Sequence, residues 1–111
     1  MHVVDTKAEN AVVVELGGRM DAASAPEAEH KLMELIGRGE TRLVLDLADL
    51  EYVSSAGLRV FLLVAKRLRA ARGRLALAAA RDAIREVFEL AGFADLFTFV
   101  ATREEAQAAL G

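Results

Sequence analysis

The 111-residue sequence predicts an α/β fold, a mixed β-sheet of about four to five strands flanked by about four helices. Short β-branched or leucine-rich runs alternate along the chain with longer stretches of helical period, the pattern of strand–helix–strand units that build a partly parallel sheet. Leu43-Val44-Leu45-Asp46-Leu47 is apolar on both faces except at Asp46, as a central strand covered by helices must be. Hydrophobic residues make up 54% of the chain, enough to bury a core in a single domain over residues 1–111.

The elements follow in order. His2-Val3-Val4 reads as a first strand, with a turn near Glu9-Asn10. Val12 to Leu16 is its partner, ended by Gly17-Gly18. Ser24-Ala25-Pro26-Glu27 opens a helix. Ser24 can cap it, Pro26 lies in the first turn where no amide partner is lost, and Glu27 completes a capping box. Ala28, Leu32, Leu35 and Ile36 share one face, and Gly37 and Gly39 stop the helix. Beyond the central strand, Tyr52-Val53 is a short extended piece. Ser55 to about Arg72 is the longest helical pattern, with Leu58, Phe61, Leu62, Ala65 and Leu68 on one face and Gly73 at its end. Val60, Leu63 and Val64 lie off that face, which implies neighbours on two sides. Arg74 to Ala78 is the next strand. Ile84, Val87, Phe88 and Ala91 mark a third helix closed by Gly92, and Phe97 to Val100 is a last strand. Thr102-Arg103-Glu104-Glu105 is another capping box, opening a short terminal helix. The expected core is Leu43, Leu45, Leu47, Leu58, Phe61, Leu62, Leu75, Leu77, Val87 and Phe88.

Composition narrows the function. The net charge is −3, the opposite of what a nucleic-acid backbone selects. With no cysteine there is no disulfide, thiol nucleophile or thiolate metal site. Met1 to Asn10 lacks a basic start followed by an apolar run, so no secretion signal is expected. The largely apolar stretch Val60 to Ala65 is far short of the ~20 residues a membrane span needs. These features describe a cytoplasmic protein that neither inserts into a membrane nor binds nucleic acid directly.

Catalytic patterns are missing. His2 and His30 read as solvated, and Gly17-Gly18 lacks the spacing of a phosphate loop. Asp46, Asp49 and Glu51 are close enough in sequence for a magnesium site, but a strand-end Asp46 with solvated Asp49 and Glu51 is the favoured reading. No metal, no cofactor and no enzyme activity are expected. The basic run Lys66, Arg67, Arg69, Arg72 and Arg74 reads mainly as a solvated helix face with favourable charge near its C-terminus, a partner patch being the lesser reading.

The informative segment is Tyr52-Val53-Ser54-Ser55-Ala56-Gly57-Leu58-Arg59, where an extended piece turns into the longest helix. One serine serves as an N-cap, and two exceed that need. Gly57 in the first turn costs up to ~1 kcal/mol against alanine, so a close backbone approach is expected there. The free amides and dipole of a helix start can hold a phosphate.

Asp46 to Val60 (DLADLEYVSSAGLRV) resembles the signature of the STAS domain of bacterial anti-sigma factor antagonists. Gly18 to Pro26 is similar to the family's Gly-x-x-Asp stretch, Arg74 to Ala79 to the strand after the signature helix, and Val87 to Phe93 to its Phe-x-x-x-Gly helix end. The resemblance covers essentially the whole chain. It implies a protein that binds an anti-sigma factor, often itself a serine kinase, and so frees a sigma factor. Phosphorylation of a serine at the start of the signature helix ends that complex, and a phosphatase restores it. The implied binding face is Asp21, Ser54, Ser55, Ala56, Gly57 and Arg59, and the protein is expected to be a monomer. The family's usual acceptor directly precedes the glycine, where this chain has Ala56. A sub-group that reads Ser-Ser-Ala-Gly-Leu-Arg has its acceptor at the position of Ser55. Ser55 is therefore the expected phosphosite and Ser54 the alternative, with an unphosphorylated scaffold as the third possibility. The competing function is a STAS-type accessory subunit that binds the ATPase of a membrane lipid transporter. A magnesium-dependent aspartate receiver ranks last, because Asp5 stands alone and no lysine follows Lys66.

Overall fold

A computed structural model describes residues 1–110. Strand β1 (His2–Lys7) runs antiparallel to β2 (Val12–Met20). Helix α1 (Ala25–Gly37) crosses to β3 (Arg42–Asp46), β4 (Leu50–Val53) leads into α2 (Ser55–Ala70), and β5 (Arg74–Ala78) is followed by α3 (Asp82–Leu90). A 3-10 turn at Ala94–Leu96, β6 (Phe99–Val100) and α4 (Arg103–Leu110) complete the order. The sheet runs β1-β2-β3-β5-β6, parallel from β2 onward, and β4 pairs with the far end of β2. The mixed α/β class with four α-helices is as expected, with six strands instead of four or five.

The sixth strand is β4, expected only as a short extended piece at Tyr52-Val53, and its partner is an unexpected extension of β2. Gly17-Gly18 does not end β2, which continues to Met20. Gly18 has φ +89°, a left-handed conformation that glycine adopts at little cost, and the register shifts between Gly18 and Arg19. The bend carries the strand from β3, which it pairs up to Glu15, onto β4. A glycine pair in a sequence does not distinguish a strand end from a bulge.

One face of the sheet holds the main core, beneath α1, α2 and α3. Leu43, Leu45, Leu47, Leu58, Phe61, Leu77 and Phe88 are buried in it, while Leu75 and Val87 are half-buried at its edge. Leu62 is half-buried, and Val60 and Val64 are buried in its place, because α2 packs against α1 as well as against the sheet. The opposite face carries a smaller cluster, Ala11, Val13, Val44, Ala76, Ala78, Ala106 and Leu110, covered by α4. Phe88 is the hub of the aromatic packing, 5.2 Å from Phe61, 5.2 Å from Phe97 and 5.3 Å from Phe99 in edge-to-face contacts.

Helix α4 is fastened by charge. Arg103 reaches Asp46 (2.5 Å) and Glu15 (2.6 Å), and Asp46, buried at a strand end, also accepts the Ala48 amide at 3.0 Å. This uses Asp46 structurally, as favoured from the sequence; Asp49 and Glu51 are exposed. Hydrogen bonding to Asp46 raises the Arg103 pKa further above its ordinary value. Thr102 caps the helix by accepting the Glu105 amide at 3.1 Å, and Glu105 reaches back to the Ala101 amide at 3.1 Å. Arg103→Ala leaves Asp46 buried without a cation and is expected to cost about 1–2 kcal/mol. Urea unfolding measures this, and a midpoint equal to wild type would contradict the role assigned to Arg103.

Candidate functional site

The parallel strands end together, and the sequence-predicted residues lie at that end. Ser54 is the N-cap of α2, in an extended conformation, and its hydroxyl accepts the Gly57 amide at 3.3 Å. Its own amide donates to the Met20 carbonyl at 2.9 Å, tying the helix start to the end of β2. Ser55, the first helical residue, is exposed, and its hydroxyl has no hydrogen-bond partner among the described residues. Ala56 is half-buried against the main core, and Arg59, one turn beyond Ser55, is exposed. The two serines thus have separate local situations: one hydroxyl is engaged in the cap, the other is free. Ser54→Ala is expected to cost about 1 kcal/mol by removing that cap, with thermal unfolding as the measurement.

Gly57 is buried, and the reason is spatial. A Cβ placed there would lie 2.7 Å from a Val53 methyl and 2.9 Å from the Met20 carbonyl oxygen. Only a residue without a side chain lets α2 sit this close to β2 and β4. The expected close approach is therefore to the protein's own backbone.

Asp21 is in the loop directly after Met20 and organises it. Its Oδ1 accepts the amides of Ala23 and Ser24, each at 3.1 Å. The Ser24 hydroxyl donates to the Arg19 carbonyl at 2.6 Å and accepts the Asp21 amide at 3.0 Å. This corrects the capping box expected at Ser24, which makes no side-chain cap to α1 and turns back to the end of β2 instead. The bonds from Ser24, then from Ala23, hold the Asp21 carboxyl below its ordinary range. A depressed carboxylate pKa contributes stability above the unfolded value and loses it as pH falls through the folded one. The loop is accordingly at full strength at neutral pH and weakens in acid, as pH falls through the ordinary carboxylate range to the lowered folded value.

Two neighbours were not singled out from the sequence. Arg19 lies 4.3 Å above the Tyr52 ring, and the two are cross-strand partners on β2 and β4. Tyr52 is exposed. Their pairing depends on the shifted β2–β4 register, which no local pattern encodes. Helix start, Asp21 loop and the Arg19–Tyr52 stack form one polar surface with an unpartnered serine hydroxyl. The basic run on α2 lies toward the helix's other end. Among the described residues no helix is long and apolar enough to cross a membrane.

The STAS domain family model matches residues 2–106. The chain belongs to the STAS domain family. It is similar to anti-sigma factor antagonist BtrV of Bordetella bronchiseptica, 43% identical over 98% of this chain and 94% of that one. It is also similar to the anti-sigma-B factor antagonist of Bacillus subtilis, 32% identical over 91% of this chain and 93% of that one. Among solved structures, the anti-sigma factor antagonist SpoIIAA in its unphosphorylated form superposes with a TM-score of 0.80 at 25% identity, covering 95% of this chain and 92% of that one. In this STAS domain the signature helix is α2, and the loop matching the family's Gly-x-x-Asp stretch abuts its start through the Met20 carbonyl.

Proposed function

We propose that this STAS domain is an anti-sigma factor antagonist. It binds an anti-sigma factor that is itself a serine kinase, frees a sigma factor, and is switched off by phosphorylation of Ser55 and restored by a phosphatase. The observation that carries the switch is the free, exposed Ser55 hydroxyl beside the engaged Ser54. The amides of Ser55 and Ala56 open α2 without a partner among the described residues, so a phosphate on Ser55 meets two donors and the positive end of a 16-residue helix. The names of the relatives support the antagonist reading. The protein works by binding rather than catalysis, as a single cytoplasmic domain and a monomer, without cofactor or metal. Asp21, Ser54, Ser55, Ala56, Gly57 and Arg59 form its binding face.

The test incubates the protein with ATP and an anti-sigma serine kinase from the same genome, and maps the phosphate by tandem mass spectrometry. Label on Ser55 supports the proposal. Label on Ser54 alone moves the switch by one residue, and no label removes it. Capture of a lipid-transporter ATPase in place of an anti-sigma factor would overturn the antagonist reading. Asp21→Ala is expected to weaken binding of that kinase about tenfold while shifting the melting temperature little, since the loop it organises is at the surface. Titration calorimetry showing wild-type affinity would exclude Asp21 from the binding face.

A further inference from the structure

The chain has 14 lysines and arginines. The eight outside α2 and its exit each meet an ion-pair partner, a backbone carbonyl or an aromatic ring. Among the described residues the other six, Arg59, Lys66, Arg67, Arg69, Arg72 and Arg74, meet none. Five of those six crowd the C-terminal half of α2 and the turn behind it. The helix dipole accounts for Arg67 and Arg69 in the last turn. It does not account for Arg72 and Arg74, which lie beyond the helix end, nor for the shape of the surface between them.

That surface is a shallow groove of about 340 Å³ between α2, β5 and the 3-10 turn. Ala65, Leu68, Leu75, Leu96 and Phe97 supply its apolar lining. Arg69, Arg72 and Arg74 stand around it. Leu96 is 56% exposed, a large aliphatic side chain left in solvent at the groove. In a protein of net charge −3, free cations gathered around an exposed leucine are complementary to one kind of surface, acidic with an aliphatic projection.

We propose that this groove is a second docking site, for an acidic segment of a partner protein. Its carboxylates pair with Arg69, Arg72 and Arg74, and one aliphatic side chain covers Leu96. Nucleic acid fits less well, because Phe97, the ring in the lining, is half-buried and already packed edge-to-face against Phe88, and the overall charge repels phosphates. A flat membrane surface cannot follow a concave groove. The site is about 24 Å along α2 from Ser55, so both ends can be occupied together and the groove does not depend on the phosphoserine reading.

The test titrates the 15N-labelled full chain with a synthetic 12-residue peptide of glutamates carrying two leucines four positions apart, at 150 mM salt. Amide shifts confined to residues 65–75 and 94–98 are expected. Leu96→Ser and the double variant Arg69→Glu with Arg72→Glu should each bind at least fivefold more weakly while keeping the wild-type melting temperature, with Leu96→Gln replacing Leu96→Ser if that variant unfolds. Ser55→Asp should bind the peptide as wild type does. Equal binding of a peptide with serines in place of leucines would reduce the site to bare charge and overturn the proposal. So would tighter binding of a 12-base-pair DNA duplex or of phosphatidylglycerol vesicles, shifts that grow with protein concentration alone, or no shifts in the groove.

Discussion

Ser55→Asp is expected to lose affinity for the anti-sigma factor by about a hundredfold while the domain keeps its melting temperature. Ser55 stands exposed at the first position of α2. A negative charge there faces two uncommitted amides and the positive end of the helix dipole, so the folded state gains slightly or is unaffected. Bound against a partner, the same charge is desolvated where a neutral hydroxyl had been. About 2.7 kcal/mol of such cost is a hundredfold in affinity, within the range for a charge buried without a counter-ion in an interface. Ser55→Ala should bind as wild type does and escape the phosphorylation proposed above. Ser54 differs, because its hydroxyl oxygen already accepts the Gly57 amide, so a phosphate added there would have to rebuild the cap. Calorimetric titration of the partner with all three proteins tests this, and Ser55→Asp binding within threefold of wild type would exclude a charge switch at this position.

Gly57→Val is expected to cost about 3 kcal/mol or more of stability. The new Cβ would fall 2.9 Å from the Met20 carbonyl oxygen, which is backbone already bonded to the Ser54 amide and has little room to move. It would also lie 2.7 Å from Val53, and two further methyls would add to the overlap. Gly57→Ala makes a sharper comparison. Alanine favours a helix by up to ~1 kcal/mol over glycine, so a loose contact would let that variant gain stability. The overlap predicts a loss of about 1–2 kcal/mol instead, because the helix start must move away from β2. Urea denaturation of both variants, with amide shifts followed at Met20 and Asp21, measures the effect. A Gly57→Ala protein more stable than wild type would mean that the close approach carries no energetic weight.

Much of this fold was legible locally, where each element carries its own signal. The leucines of β3 and the helical spacing in α2 and α3 led to most of the buried core, because period and burial are coupled within one element. The adjacent serines before Gly57 marked the start of α2, because capping is chemistry among neighbours in sequence. What local pattern could not decide was how elements meet. Gly17-Gly18 read as a strand end, and only the approach of β4 makes Gly18 a bulge that carries β2 on to Met20. Ser24 read as a helix cap, but the nearby end of β2 and Asp21 claim its hydroxyl. Arg103 held no sequence signal beyond its place in a capping box, since its partners Glu15 and Asp46 lie on two other strands. The sequence by itself determined the layered α/β class and the serine-bearing helix start. The tertiary structure decided which serine hydroxyl is spent on the cap, what surrounds the other, and why Gly57 tolerates no side chain, because each depends on groups brought together only when separate strands and helices pack.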